Sequence, residues 1–166
     1  MGLLTDELRA RIGEQAVYTA PEPVGRASIR YYALAVGDAN PLYSNPSAAQ
    51  AAGYSDVIAP PTWITETNQY MTGSRNAEGY MGHGWGIELP NTRLVRGGNS
   101  YTFTKAIHPD DIVTATWEIV DATERTTSKG TDMLIVTSSA TYANQRGEVL
   151  ATNTESLIWT SMSGAA

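Results

Sequence analysis

Few side chains in this sequence can move protons near neutral pH. The chain has two histidines, His83 and His108, and no cysteine, so thiolate chemistry is excluded and an imidazole base has to be one of these two. The segment 37–43 (GDANPLY) adds a carboxylate, an amide and a phenol close together. A positioned carboxylate can act as a general acid or base, whereas a phenol, with an ordinary pKa near ~10, donates a hydrogen bond but is a poor base.

Each polar residue of this segment also fits a purely structural role. Asp38 is either a catalytic acid or base, or a carboxylate that accepts hydrogen bonds from turn amides after Gly37, as Asp and Asn often do. Asn40, which precedes Pro41, is either a substrate contact or a second turn residue. Tyr43 is either a hydrogen-bond donor to water or substrate, or an ordinary half-buried tyrosine.

The two histidines lie in different settings. His83 belongs to a glycine-rich stretch, 74–86, that we interpret as a long loop, where the imidazole either reaches a pocket or is solvated. His108 starts a turn before Pro109 and is interpreted as structural. The histidines are far apart in sequence and have no HxxxH pattern or cysteine partner, so neither a metal site nor another cofactor is predicted.

Charge limits the partners that the chain can bind. The sequence has 11 Lys+Arg against 17 Asp+Glu, a formal net charge of -6, and no Lys/Arg cluster, so neither nucleic acid nor an anionic membrane is predicted as a partner. A ligand such as CoA would therefore need a local basic patch. Arg93 and Arg96 either pair with its phosphates or are ordinary surface arginines, and Trp63 and Trp85 are either pocket walls or core residues.

Length and composition predict a single cytoplasmic domain over residues 1–166. A chain of 166 residues suits one domain, and its hydrophobic fraction of 42% is enough for a core. Residues 1–12 mix charged and apolar side chains, which is unlike a signal peptide. Nowhere does the sequence approach the ~20 consecutive apolar residues of a membrane span.

The periodicity of apolar residues predicts helices first and strands afterwards. Helices are expected over Leu3–Ile12, Ala27–Val36, a short stretch from an N-cap at Ser47 to Ala52, and Pro61–Met71. Strands are expected at Leu94–Val95, Tyr101–Ile107, Ile112–Thr123, Met133–Tyr142 and Val149–Trp159, with hairpin turns at 128–130 and 144–147. This order predicts an α+β layer fold. One long helix against a bent antiparallel sheet is the hot-dog arrangement, whose edge strand favours pairing into a dimer.

Three segments resemble one known family. The segment 37–43 resembles the signature of the MaoC-like and (R)-specific enoyl-CoA hydratases, Gly-Asp-x-Asn-Pro-apolar-His. The segment 54–62 (YSDVIAPPT) is similar to the family's entry into its central helix, and 144–148 (NQRGE) is typical of the group. The resemblance extends over about 12–159, and it implies a single hot-dog domain with a central helix wrapped by an antiparallel sheet.

The resemblance implies reversible addition of water across the α,β double bond of an acyl thioester. In that family the signature Asp and His share the acid–base work, and a backbone N–H at the start of the central helix polarises the thioester carbonyl. This sequence departs from the pattern twice. Tyr43 takes the position of the histidine, and Pro60-Pro61 replaces His-Gly, so that Pro61 cannot supply the N–H.

The resemblance is greatest to the MaoC-like dehydratase N-terminal-domain group, the non-catalytic subunit or half of two-part hydroxyacyl-thioester dehydratases. It implies a subunit that binds an acyl-CoA or acyl-ACP thioester while a partner hot-dog chain supplies the Asp and His. The site residues are then Asp38 and Tyr43 at the degenerate catalytic positions and, for substrate binding, Asn40, Pro61, Trp63, His83 and Arg96. Two alternatives are a homodimeric dehydratase with altered acid–base residues acting on an unusual acyl or polyketide-like substrate, and a non-catalytic hot-dog that binds acyl-CoA or a carrier protein.

Overall fold

Five strands form one antiparallel sheet in the computed structural model, which describes residues 2–68, 79, 81–128 and 130–162. The strands are β1 (Gln15–Thr19), β2 (Thr92–Phe103), β3 (Thr114–Thr126), β4 (Asp132–Ala143) and β5 (Val149–Ser161). Their order across the sheet is β1-β3-β4-β5-β2. The long strands β3, β4 and β5 match the predicted runs, because β-branched and aromatic residues pack well on a pleated, half-buried surface.

The helices are short and lie before β2 in the sequence. They are α1 (Asp6–Ala10), α2 (Arg26–Ala35) and α3 (Pro46–Ala51), together with 3-10 helices at Pro41–Tyr43 and Pro61–Asn68. Asn45 caps α3, because its side chain accepts hydrogen bonds from the backbone N–H groups of Ser47 and Ala48. The prediction of Ser47 as the cap was therefore wrong, since Pro46 already occupies the first helical position. Within the described ranges, no helix is long and apolar enough to cross a bilayer.

The helix predicted over 61–71 differs most from its expectation. Pro61–Asn68 is a 3-10 helix rather than an α-helix, and 69–71 lie outside the described residues. The Thr65 hydroxyl donates to the Thr62 carbonyl oxygen at 2.8 Å, and a side-chain bond of this kind competes with regular helical hydrogen bonding. In the predicted loop 74–86, the described positions 79 and 81–86 form neither helix nor strand.

Two strand predictions needed correction. Strand β1 was not predicted, because its residues are half or fully exposed and carry little apolar alternation. Strand β2 is continuous through Gly97 and Gly98, where the pairing with β5 shifts register at a bulge, and it ends at Phe103 instead of Ile107. A Cβ on Gly97 would lie 2.9 Å from Cδ1 of Ile158, so Gly97 fits a close strand contact rather than a break between strands.

Alternate residues of the strands form the core. Leu134, Val136, Ala140 and Tyr142 of β4 are buried, as are Ala115, Trp117 and Ile119 of β3. Burying one large apolar side chain contributes about 1.5–3 kcal/mol. The same buried set includes polar side chains: Ser138 on β4, and Asn153 and Glu155 on β5. Buried polar groups are costly unless they find partners, and these partners help define the sites described below.

Candidate functional site

The signature segment forms a tight turn at the end of α2. Gly37 has a φ of 72°, and the Asp38 backbone N–H donates to the Ala33 carbonyl oxygen at 2.9 Å. The Asp38 carboxylate accepts from the Asn40 backbone N–H at 3.0 Å. The Asn40 side-chain oxygen accepts in turn from the Leu42 N–H at 3.1 Å. Both polar side chains of the signature therefore hold the turn that presents Tyr43.

Tyr43 and Pro61, both predicted site residues, line one cavity of about 270 Å³. Only 7% of Tyr43 is exposed, so it is more buried than the half-buried side chain considered from the sequence. Burial raises the pKa of the Tyr43 phenol, and the negative charge of Asp38 raises it further. The phenol therefore stays protonated at neutral pH and can donate a hydrogen bond, but it cannot act as a base.

The start of the 3-10 helix gives this cavity no donor at Pro61. The Ala59 backbone N–H donates to the Ile107 carbonyl oxygen at 2.9 Å, and the Trp63 N–H donates to the Pro60 carbonyl oxygen at 2.8 Å. Pro61 lines the cavity, but a proline nitrogen carries no hydrogen. An oxyanion needs backbone or side-chain donors about 2.7–3.1 Å away, and at this position the chain cannot supply one.

Lys105 lines the same cavity and was not singled out from the sequence. Its side chain is 54% exposed and forms an ion pair of 2.6 Å with Glu148. Lys105 lies two residues after the end of β2, so it brings a cation to the cavity that holds Tyr43. Nothing in the sequence favoured Lys105 over other charged residues. The cavity forms between segments that are far apart in sequence, so a local pattern does not reveal which charges line it.

A second location holds His83. Its Nδ1 lies 2.8 Å from the Tyr18 hydroxyl, its ring stacks on Trp117 with 4.7 Å between centroids, and it meets Trp85 edge-on. The residue is 8% exposed, so of the two alternatives for His83 the solvated loop residue was wrong. The aromatic side chains around it bury the ring.

Burial lowers the pKa of His83 to about 4, and the positive charge of Arg96 contributes in the same direction. The imidazole is therefore neutral at neutral pH. Its Nε2 is buried and has no hydrogen-bond partner. An unpartnered buried nitrogen of this kind requires an explanation, because most buried polar atoms are hydrogen-bonded.

Arg96 lies at the same location and is paired with a carboxylate. Its guanidinium forms an ion pair with Glu155, of which only 4% is exposed. Burial raises the pKa of Glu155, while Arg96 acts in the opposite direction. Arg96, Glu155 and His83 line a cleft of about 470 Å³. The other arginine predicted for phosphate, Arg93, is exposed and lines none of the cavities described here.

Trp63 lies away from both sites. It is 5% exposed, and its indole Nε1–H donates to the Ser28 hydroxyl at 3.0 Å. It lines a smaller cavity of about 130 Å³ beside Val24 and Val113. Neither the cavity at Tyr43 nor the cleft at His83 includes Trp63 among its lining residues, so the seven predicted site residues are distributed over three places.

The sequence contained a signal for Glu155 that we missed. Along β5 the buried positions alternate, and Asn153 and Glu155 fall on the same face as Leu157 and Trp159. Polar residues on the buried face of a strand indicate either a partner or a site. No group of three or more His, Asp or Glu residues suited to a metal ion occurs in the part of the chain that is described.

The segment 144–148 forms the turn between β4 and β5. The Asn144 side-chain oxygen accepts from the backbone N–H groups of Arg146 and Glu148, both at 3.0 Å. Its amide nitrogen donates to Asp111 at 3.0 Å and to Glu148 at 2.8 Å. Asp111 is fully buried and also pairs with Arg146. This family-like segment is therefore structural in this chain.

Comparison with known proteins identifies the family. A family model described as FAS1-like, dehydratase domain region matches residues 10–153. The chain belongs to this dehydratase family. It is 33% identical over 143 residues to a UPF0336 protein of Thermobifida fusca, covering 85% of this chain and 87% of that protein. A UPF0336 protein of Streptomyces avermitilis is 37% identical over 105 residues, which are 63% of this chain and 66% of the relative.

Solved structures confirm the α+β hot-dog fold of this dehydratase-family chain. The ChsH1-ChsH2 complex of Mycobacterium tuberculosis matches with a TM-score of 0.68 and 22% identity, covering 87% of this chain and 88% of that one. The HadBC (3R)-hydroxyacyl-ACP dehydratase complex of the same organism gives 0.62 and 23%, covering 87% and 95%. The (R)-hydratase of A. caviae gives 0.63 and 20%, covering 89% and 94%. These are MaoC-like hot-dog proteins, which confirms the predicted resemblance.

Proposed function

We propose that this chain is the acyl-binding subunit of an (R)-specific enoyl-thioester hydratase or 3-hydroxyacyl-thioester dehydratase. A partner hot-dog chain supplies the catalytic Asp and His. The observation that carries the proposal is the cavity shared by Tyr43 and Pro61. At these two positions Tyr43 cannot act as a base and Pro61 has no backbone N–H. The two-chain complexes among the structural neighbours support a division of labour of this kind.

On this proposal the chain contributes shape and hydrogen bonding rather than proton transfer. The protonated Tyr43 hydroxyl donates to a water or to the thioester, and the apolar side chains of Ile58 and Phe103 contact the acyl portion. Lys105, at the same cavity, exchanges its partner Glu148 for the anionic end of CoA or of a phosphopantetheine arm. The partner's acid–base pair then adds or removes water at the bound double bond.

The partner is expected to pair with the edge strand β2. This strand is last in the sheet order, and all but two of its residues are exposed. Leu94 is 51% exposed and Phe103 is 44% exposed. A long exposed edge with apolar side chains is normally covered by another chain. The proposal also locates the protein in the cytoplasm, which fits its lack of cysteine.

The test is reconstitution with a hot-dog chain that carries Gly-Asp-x-Asn-Pro-x-His. We expect the two chains to co-purify, and crotonyl-CoA hydration to occur in the mixture but not with this chain alone. A mixture in which this chain carries the surface substitution Asp56→Asn serves as the matched control. Robust hydration by the isolated chain would contradict the proposed dependence on a partner, and binding of acyl-CoA without turnover in any mixture would favour a purely binding role.

One observation favours a second candidate, a homodimer with altered acid–base residues. His83 is neutral at neutral pH and lies on a cleft with Glu155, so an imidazole base is available at a different place from the signature. Kinetics of His83→Ala and Tyr43→Phe in the isolated protein separate the two candidates. If neither substitution changes an activity of the isolated chain, this second candidate is removed.

A further inference from the structure

The cleft on the sheet combines buried charge with apolar walls. Arg96 of β2 and Glu155 of β5 lie on its sheet side, and His83 lies on the segment that crosses the sheet. Trp85, Leu157 and Trp159 are further lining residues. Its volume of about 470 Å³ is within the range of about 300–1,000 Å³ for small-molecule sites, which are mostly apolar with a few convergent polar groups.

One buried polar atom in this cleft has no hydrogen-bond partner in the part of the chain that the structure describes. Among the described residues, Arg96 is the partner of the Glu155 carboxylate, and the bond uses Oε1. Nε2 of His83 has no partner, although the residue is more than nine-tenths buried. By contrast, the indole Nε1–H of Trp85 is satisfied by the Ser138 hydroxyl at 2.8 Å. The unmet hydrogen-bonding capacity therefore belongs to the imidazole of His83, and the Glu155 carboxylate lines the same cleft.

The charges of the cleft favour a ligand without net charge. Arg96 and Glu155 carry opposite charges and lie in contact, so neither an anion nor a cation gains a net attraction inside. The remaining carboxylate that lines the cleft, Glu88, is exposed, where water and salt screen it. A charged ligand would lose its hydration without an opposite charge to replace it.

We propose that this cleft is a binding site for a neutral, largely apolar molecule that carries a hydroxyl group. The apolar part packs against Trp85, Leu157 and Trp159, and the hydroxyl bonds with His83 and Glu155. A hydroxyl suits this pair because it both accepts and donates. If Tyr18 donates to Nδ1 of His83, then Nε2 carries the hydrogen and donates to the ligand hydroxyl, which donates its own hydrogen to the Glu155 carboxylate.

The identity of the ligand can be narrowed further through the proposed function. An acyl chain that carries a hydroxyl group beyond the reacting carbons is a neutral, largely apolar, hydroxylated molecule of the proposed kind. The chain would then select hydroxylated acyl thioesters over saturated ones. This narrower identification rests on the proposed function, whereas the preference for a neutral hydroxylated ligand rests on the cleft alone.

The experiment measures binding to the isolated full-length chain by tryptophan fluorescence. The probes are the octanoyl thioester of N-acetylcysteamine and its ω-hydroxy, ω-carboxy and ω-amino analogues. We expect the ω-hydroxy analogue to bind about tenfold more tightly than the unsubstituted probe, and both charged analogues to bind more weakly. No catalytic partner is required, so failure here and failure of the reconstituted hydratase are distinguishable.

Two substitutions test whether the opposite charges of Arg96 and Glu155 cause the preference for an uncharged probe. Each is expected to make a charged probe bind most tightly. Glu155→Gln removes a negative charge beside Arg96, so the ω-carboxy analogue becomes the tightest of the series. Arg96→Gln leaves Glu155 uncompensated, so the ω-amino analogue becomes the tightest. The matched control is Asp56→Asn, which breaks the exposed ion pair with Arg26 away from the cleft and leaves the order of affinities unchanged.

NMR locates the binding independently of these variants. The sequence has four tryptophans, of which Trp85 and Trp159 line the cleft. Their indole N–H signals, assigned through single Trp→Phe variants, should shift with the ω-hydroxy probe, while the Trp63 signal stays in place. The proposal would be overturned by any of three results. The unsubstituted probe could bind as tightly as the ω-hydroxy probe or more tightly, both charge variants could keep the same order of affinities, or the shifts could be confined to Trp63.

Discussion

The cavity at Tyr43 and the cleft at His83 differ in whether their polar groups already have hydrogen-bond partners. Near the cavity, the side-chain oxygens of Asp38 and Asn40 already accept hydrogen bonds from backbone N–H groups of the turn. Pro61 has no backbone N–H that could donate to a ligand. In the cleft, Nε2 of His83 is without a partner, and Glu155 is buried with one bond to Arg96. The polar side chains of the family signature are therefore already hydrogen-bonded, whereas the cleft without a signature contains an unpartnered nitrogen that a ligand could satisfy.

The largest expected effect is on the hydration rate, when the family's histidine and glycine are restored at positions 43 and 61. We expect the double variant Tyr43→His with Pro61→Gly to hydrate crotonyl-CoA at least about a hundredfold faster than either single variant, because general acid–base catalysis contributes roughly 10²–10⁴-fold only when the donor is also present. Loss of the enoyl-thioester absorbance measures the rate.

The control for this test is the pair Tyr43→Phe with Pro61→Ala, which changes both positions without adding a base. If a folded double variant stays inert while an authentic family member works in the same assay, the cavity differs from the active enzymes in more than these two positions.

The next effect is the pH dependence of stability caused by His83. Its folded pKa of about 4 lies below the unfolded value of 6.5, so the unfolded state binds more protons between these values. Stability therefore falls as the pH drops from 6.5 to 4, by about 2 kcal/mol from this residue. Urea unfolding across this range should show a flatter profile for His83→Phe. His108→Gln is the matched control, and an unchanged slope in the His83 variant would refute the assignment.

A smaller effect is expected from the turn residues of the signature. Asn40→Ala removes the acceptor for the Leu42 N–H and should cost about 1 kcal/mol of unfolding free energy. We expect turnover in the reconstituted complex to stay within about threefold, because the side chain acts on the turn. A loss of turnover without loss of stability would instead make Asn40 a substrate contact.

The smallest effect should come from removing the Tyr43 hydroxyl. Tyr43→Phe keeps the ring in its buried position, so stability should change by less than about 1 kcal/mol. On the proposed function, the KM of the reconstituted complex rises severalfold while kcat is nearly constant, because the hydroxyl binds rather than transfers protons. A large fall in kcat would show that the phenol takes part in the chemical step.

The sequence predicted most of the sheet and the turn at 37–43. Strands β3, β4 and β5 follow from dense β-branched runs, and the placement of Asp38, Asn40 and Tyr43 follows from a turn whose hydrogen bonds join near neighbours. Strand β1 was missed because its residues are mostly exposed, so burial did not mark one face. The 3-10 helix at Pro61–Asn68 was predicted as α-helix because apolar spacing does not report side-chain bonds such as that of Thr65.

The cleft was harder to predict because its members meet only in the folded sheet. Tyr18 and His83 are separated by 65 positions, and Arg96 and Glu155 by 59, so no short motif joins them. The aromatic neighbours that bury His83 come from β3 and from its own segment. Alternation along β5 would have identified Glu155 as inward-facing, but its partner depends on the register between β2 and β5.

The bulge at Gly97 and Gly98 has a consequence for how the protein behaves when no second chain is present. A flat, uninterrupted edge invites endless strand addition and fibre growth, whereas an irregular edge accepts only a strand with a compatible break in its ladder. Because the register shift lies between Arg96 and Gly98 in the middle of β2, it divides the edge into two short stretches. The bulge therefore disfavours open-ended strand addition along the exposed edge of β2.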